Sequence, residues 1–209
     1  VLSASSLDNK IAWYENGNNW HENAISITVN DASSIYAADL DGDGDLDVLT
    51  ASSGDNAITW YENGNSWAET TIPSSSYARS VHTADIDGDG DLDILSASPI
   101  AWFENGNNWN RTAISTTADT AWTVYSADMD GDGDLDVLSA SYYEDTIAWY
   151  ENGNDWHENN ITTTTSGTGS ICAADMDGDG DLDVLSASWE NDTIAWYENG
   201  NAWAKNTIP

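Results

Sequence analysis

Asp39-Leu40-Asp41-Gly42-Asp43-Gly44-Asp45-Leu46-Asp47 places five carboxylates within nine residues, and the same spacing returns at Asp85–Asp93, Asp128–Asp136 and Asp175–Asp183. Like charges this close repel one another and oppose folding. The chain has 37 Asp and Glu against four Lys and Arg, for a net charge of −33, so its own cations are too few to compensate. A hard divalent cation at each loop supplies the missing charge; four such ions would offset about 8 of the 33 negative charges.

The spacing narrows the choice of ion. Counting from Asp39, the side-chain oxygens fall at positions 1, 3 and 5 (Asp39, Asp41, Asp43), a backbone carbonyl at 7 (Asp45), and a closing carboxylate at 9 (Asp47). An oxygen-only set of this size suits calcium, whereas magnesium takes fewer protein ligands and keeps its waters. Gly44 at position 6 permits the sharp turn, as in helix-flanked calcium loops. Those loops close with Glu at position 12, whereas here Asp closes at 9 and both flanks read as strands.

Outward from the loop, the whole chain repeats. Val/Ile-Leu-Ser/Thr-Ala-Ser begins at Val1, Val48, Ile94, Val137 and Val184, at intervals of 47, 46, 43 and 47 residues. Trp-Tyr/Phe-Glu-Asn-Gly-Asn follows at Trp13, Trp60, Trp102, Trp149 and Trp196, with a second Trp seven residues later, and an Ile closes each unit. We divide the chain into units 1–33, 34–79, 80–122, 123–169 and 170–209 of one repeat domain.

Each unit reads as strands. A short small-residue strand A precedes the acidic loop (Ile35–Ala38, Val81–Ala84, Val124–Ala127, Ile171–Ala174) and the Val-Leu-Ser-Ala-Ser segment is strand B. In strand C, Ile58-Thr59-Trp60-Tyr61-Glu62, Ile and Trp share one face and Thr and Tyr the other. Asn63-Gly64 reads as a two-residue type I′ hairpin turn, and strand D runs from Trp67 to Ile72. No segment sustains a 3.6-residue apolar period, so helix is not expected. Four antiparallel strands per unit of about 45 residues make an all-β chain of propeller blades. Strand A would line the central channel, and the Trp pairs would fill the wedge between blades. Unit three has a B–C turn four residues shorter than the others, and the B–C loops vary most, which is where ligand contacts belong.

Asp-x-Asp-x-Asp-Gly-x-x-Asp between strands, followed by Val-Leu-Ser-Ala-Ser, resembles the FG-GAP or VCBS repeat over the whole chain. The resemblance implies integrin-α-like and lectin-like calcium-binding propellers. Carried over by position, the calcium ligands are Asp39, Asp41, Asp43, Asp45 and Asp47; Asp85, Asp87, Asp89, Asp91 and Asp93; Asp128, Asp130, Asp132, Asp134 and Asp136; and Asp175, Asp177, Asp179, Asp181 and Asp183. The position-7 residues serve through their backbone. The family usually has seven blades, whereas five B-C-D sets but only four A strands are visible here, the first unit lacking its innermost strand. The chain is therefore expected to belong to a larger propeller, to keep a three-stranded first blade, or to receive a strand from another molecule, the first being favoured.

Composition excludes several functions. A net charge of −33 argues against nucleic acid and anionic membrane surfaces, and no stretch of 18 apolar residues spans a bilayer. The single Cys172 forms no intrachain disulfide and has no His suitably placed in its unit to make it a nucleophile. His21 and His157 occupy equivalent positions after the second Trp and read as surface residues, while His82 and Cys172 align with Tyr36 and Tyr125 and read as channel packing. A catalytic carboxylate pair needs two different environments, and these Asp residues repeat identically, so the chain is read as not an enzyme. Asn110, Asn160 and Asn191 head sequons open to glycosylation, and Thr162–Thr165 could carry O-linked sugar. The expectation is a secreted or cell-surface, calcium-stabilised module that binds a glycan or an extracellular protein. The alternatives are a self-assembling segment of a longer surface protein or fibre, and a non-catalytic domain appended to an extracellular enzyme.

Overall fold

The computed structural model describes every residue except 74–76, 117, 119 and 209, and only the backbone of Pro73. The described residues form nineteen strands and no helix. Blade one has three strands, β1 (Leu2–Ser5), β2 (Lys10–Glu15) and β3 (His21–Ser26). The other four blades are four-stranded antiparallel meanders: β4 (Ala32–Ala38), β5 (Asp47–Ser52), β6 (Ala57–Glu62) and β7 (Ala68–Pro73); β8 (Val81–Ala84), β9 (Asp93–Ser96), β10 (Ala101–Glu104) and β11 (Asn110–Ala113); β12 (Ala121–Ala127), β13 (Asp136–Ser141), β14 (Thr146–Glu151) and β15 (His157–Thr162); and β16 (Thr168–Ala174), β17 (Asp183–Ser188), β18 (Thr193–Glu198) and β19 (Ala204–Ile208). This is the propeller-blade architecture expected, with the first blade lacking its innermost strand. Inner strands of consecutive blades touch, from β1 through β4, β8 and β12 to β16. Among the described residues, the first and fifth blades make no comparable contact, so the ring is open.

Three boundaries differ from the sequence reading. Strands β4, β12 and β16 start three residues earlier than expected. In each, a bulge brings the Ala or Thr of a Ser/Thr-rich stretch opposite the last Ser of strand B, as in Ala32↔Ser52. The turn after strand C is not a two-residue type I′ hairpin. Glu62 pairs with Ala68, leaving five residues between, and positive φ falls on Gly64, Ser66 and Trp67 rather than on Asn63. The Asn63 N–H is already committed to Asp47 Oδ1 at 2.7 Å, which rules out the tight turn. Trp67 consequently lies in the turn, and strand D begins one residue later. Its counterparts Trp20, Trp109, Trp156 and Trp203 share φ values of 55–58°, a backbone state that a bulky residue adopts only when its surroundings enforce it.

The turn itself enforces it, since Trp20 shares the φ while 54% exposed, and the other four rings pack against the neighbouring blade. Trp60 of blade two meets Trp109 of blade three edge-on, with ring centroids 6.1 Å apart. Trp102 and Trp156 both pack on the cluster between blades three and four, and Trp149 and Trp203 share the cluster between blades four and five. Strand C serves both of its neighbours. In β14, Ala148 and Tyr150 pack toward blade three, while Ile147 and Trp149 pack toward blade five. Three of the four interfaces therefore bury a Leu, an Ile and an aromatic ring, each contributing about 1.5–3 kcal/mol, and the interface of blades one and two buries Ile11, Val48 and Tyr61. At the channel, the His82 ring is held between Tyr36 (4.9 Å, edge-on) and Tyr125 (5.1 Å, stacked), as its alignment implied, and burial lowers its pKa. Cys172, aligned with these residues, is exposed.

Candidate metal centre

Each acidic loop joins strand A to strand B, and its turns come from local Asx bonding. The Asp43 N–H donates to Asp41 Oδ1 at 3.1 Å, Asp45 N–H to Asp43 Oδ1 at 2.9 Å, and Gly44 N–H back to Asp39 Oδ2 at 3.0 Å. The loops of blades three, four and five repeat this pattern. Gly44, Gly90, Gly133 and Gly180 sit at φ 96–101°, which a residue with a Cβ adopts only under strain. The coil draws carboxylates inward against their repulsion. Ligand oxygens of Asp39, Asp41 and Asp43 lie within 4.8 Å of one another, as do those of Asp85, Asp87 and Asp93, of Asp128, Asp130 and Asp136, and of Asp175, Asp177 and Asp183.

The position-3 residues Asp41, Asp87, Asp130 and Asp177 all have raised pKa values, through desolvation first and neighbouring carboxylates after it. Two atoms point to a missing positive partner: Asp39 Oδ1 and Asp85 Oδ1 are buried with no hydrogen-bond partner. A buried acceptor without a donor is costly. A metal coordinated by these oxygens removes that cost, so the donor set fits a hard, oxygen-loving ion. The position-7 side chains of Asp45, Asp91, Asp134 and Asp181 are exposed, in keeping with service through the backbone. Asp89, Asp132 and Asp179 at position 5 stand outside the close triads of their loops, whereas Asp43 stands inside its own.

Position 9 holds more than a ligand. Asp47, Asp93, Asp136 and Asp183 are 0–1% exposed. Each carboxylate accepts two backbone amides: in Asp136, Oδ2 takes Met129 N–H at 2.9 Å and Oδ1 takes Asn152 N–H at 2.9 Å. Leu40 and Asn63 do the same on Asp47, Ile86 and Asn105 on Asp93, and Met176 and Asn199 on Asp183. Burial pushes Asp93 and Asp136 up to about 6, with the amide bonds pulling the other way.

Sequence reasoning did not assign the Asn of Glu-Asn-Gly-Asn to this centre. Its recurrence in all five units, where a turn requires only the Gly, was the available signal. Asn105, Asn152 and Asn199 also reach the preceding blade, donating to the position-2 carbonyls of Leu40 (2.9 Å), Ile86 (2.8 Å) and Met129 (3.0 Å). A crevice of about 450 Å³ lies beside this bridge, lined by Asp128, Asp130, Trp149, Asp181 and Asn199 among others.

The other candidate positions are spread over the surface. Asn110, Asn160 and Asn191 are exposed, as are His21 and His157. Thr165 is 1% exposed and donates to the Asp145 carbonyl, so it is not a site for a sugar. The variable B–C loops of blades four and five gather an aromatic group. Trp122, Tyr142 and Trp189 lie with ring centroids 5.2–6.4 Å apart, Tyr143 stands edge-on to Tyr142, and the Arg79 guanidinium lies over Trp122 at 4.3 Å. Trp189 and Tyr143 are 61% and 71% exposed.

The sequence model of the FG-GAP-like repeat matches residues 1–50, 39–96 and 128–186. No curated protein sequence matches the chain. Among solved structures, the V. cholerae biofilm matrix protein Bap1 is similar at 19% identity with a TM-score of 0.57, over 95% of this chain and 36% of that one. An auxiliary nutrient binding protein from Bacteroides ovatus is similar at 9% identity with a TM-score of 0.61, over 95% of this chain and 54% of that one. At these identities the likeness is one of fold. The chain spans between about a third and about half of the length of these two proteins.

Proposed function

Since this chain belongs to the FG-GAP-like repeat family, we propose that it is a calcium-stabilised β-propeller module of an extracellular or cell-surface protein, used to bind or adhere to a glycan or a protein. The observation that carries the reading is the fourfold recurrence of a converging, oxygen-only carboxylate triad in loops that differ only at position 2. One accidental acidic turn is common; four on the same frame, two with an orphaned buried oxygen, are a built feature. Calcium rather than magnesium follows from the ligand count and the irregular, loop-built geometry. Extracellular calcium is abundant enough to fill such sites, which supports placement outside the cell.

In this reading calcium is structural and the ligand binds elsewhere. The aromatic group of Tyr142, Tyr143 and Trp189 on the variable loops, with Trp122 of β12 beside them, supplies flat apolar faces beside polar groups, the composition of a recognition surface. We take the chain to be non-catalytic, because its carboxylate sets share one environment instead of dividing into acid and base. Thermal melting with calcium and with excess chelator tests the structural role, and an unchanged midpoint would sink it.

A second reading, a repeat segment of a longer surface protein or extracellular fibre, is favoured by the near-identity of the units. Filaments or a longer repeat array in native material would decide for it. A monodisperse protein retained on a glycan array would decide for the binding module.

A further inference from the structure

The metal loops are joined to one another by a hydrogen-bonded relay that runs around the blades. Within blade three, Asp93 holds the Ile86 N–H at 3.1 Å. The carbonyl of that same residue accepts the Asn152 side chain of blade four at 2.8 Å, and the Asn152 N–H donates to Asp136 at 2.9 Å. Asp136 in turn holds Met129 N–H at 2.9 Å, the Met129 carbonyl accepts Asn199 of blade five at 3.0 Å, and the Asn199 N–H donates to Asp183 at 2.8 Å. Asn105 makes the corresponding link from Leu40 of blade two to Asp93. Each bridging side chain is fully engaged. In Asn152, Nδ2 also donates to Leu135 O at 3.1 Å, and Oδ1 accepts the Gly153 N–H at 2.9 Å. Ile86 and Met129 are 3% and 4% exposed, so water does not compete for these bonds.

From this geometry we infer that Asn105, Asn152 and Asn199 are positioning residues that couple neighbouring calcium loops, so that calcium binds cooperatively from blade to blade. The inference rests on the calcium reading proposed above. An ion that orders one loop fixes its position-2 residue. That residue fixes the bridging Asn, and the Asn backbone aims the position-9 carboxylate of the next loop. The second ion meets a loop whose ordering cost has already been met, which is positive coupling without any direct ion–ion contact. One net hydrogen bond supports a coupling of about three- to tenfold in affinity.

The experiment uses the full chain with the loops of blades two and five disabled by Asp41→Asn and Asp177→Asn, leaving the pair that Asn152 joins. Calcium is titrated against a chromophoric chelator. The expected isotherm has two ions, the second binding about three- to tenfold tighter than independent sites allow. Asn152→Ala should make the two sites independent. Asn63→Ala removes the corresponding side-chain bonds to Leu46 and Gly64 within blade two, whose loop is already disabled, and should leave the cooperativity intact, which separates coupling from general loosening. Near-UV circular dichroism in saturating calcium confirms that each variant is folded. Two independent sites before and after Asn152→Ala overturn the coupling and leave the calcium reading standing, as does equal loss of cooperativity in both Ala variants. No calcium uptake by the parent chain overturns the calcium reading and the coupling with it.

Discussion

The side-chain amide of Asn152 crosses from blade four to the Ile86 carbonyl of blade three at 2.8 Å, while its own N–H closes on Asp136 at 2.9 Å. One residue thereby ties a blade interface to the buried carboxylate of a metal loop. Stability and metal binding should be inseparable at position 9 and separable at position 7.

Asp136→Ala removes the acceptor of two buried amides, Met129 N–H and Asn152 N–H. Leaving each unsatisfied costs about 1–3 kcal/mol, so the variant should lose about 2–6 kcal/mol even in chelator. Asp134→Asn changes an exposed side chain and should alter metal-free stability by under about 0.5 kcal/mol. Urea unfolding of both variants in chelator measures the difference.

Proton linkage gives a second prediction. Asp93 and Asp136 are raised from 3.8 to about 6, chiefly by burial. The folded chain therefore holds these protons more tightly than the unfolded chain. Without metal, the stability they contribute is fully present below about pH 4 and is lost as the pH rises through about 6. Calcium requires the ionised carboxylates, so its affinity should fall as the pH drops below about 6. Melting in chelator across this range, beside calcium titrations at either end of it, checks both signs, and Asp136→Asn should flatten both curves.

The interblade Trp pairs predict an asymmetry between chemically equivalent positions. Trp109 packs edge-on against Trp60 of the neighbouring blade, and Trp109→Ala should cost about 2–4 kcal/mol. Trp20 occupies the same turn position in blade one but is 54% exposed, so Trp20→Ala should stay within about 0.5 kcal/mol. Equal losses in a denaturation series would show that the pairing does not carry the interface.

Ligand recognition should be separable from the fold. Trp189→Ala and Tyr143→Ala remove rings that are 61% and 71% exposed, and both should leave the calcium-loaded melting midpoint unchanged. Retention on a glycan or matrix-protein array should fall for these variants if the aromatic loops bind the ligand. Retention equal to that of the parent chain would move the binding surface elsewhere.

Much of this architecture was legible in the repeats. Strands B and C announce themselves because their residues are apolar on both faces, and the structure buries β5 and β13 completely. The acidic loops were legible because ligand spacing is a local property. The turn after strand C was misread for a physical reason: Asn-Gly is a local signal, and the Asn63 N–H is claimed by Asp47, sixteen residues earlier in the chain. The bridge from Asn152 to Ile86 spans 66 residues, and no local pattern contains such a contact. The early start of β4 was hidden in the same way, since a bulged pairing with Ser52 decides it rather than the propensity of a Ser-rich stretch.

The central claim, that four equivalent loops hold calcium and thereby staple the blades, is tested most directly by equilibrium dialysis of the metal-stripped chain against calcium. The account predicts uptake approaching four ions per chain, one for each carboxylate triad, saturating by about the millimolar concentrations typical of extracellular calcium modules. No uptake at that concentration by a folded chain would contradict it.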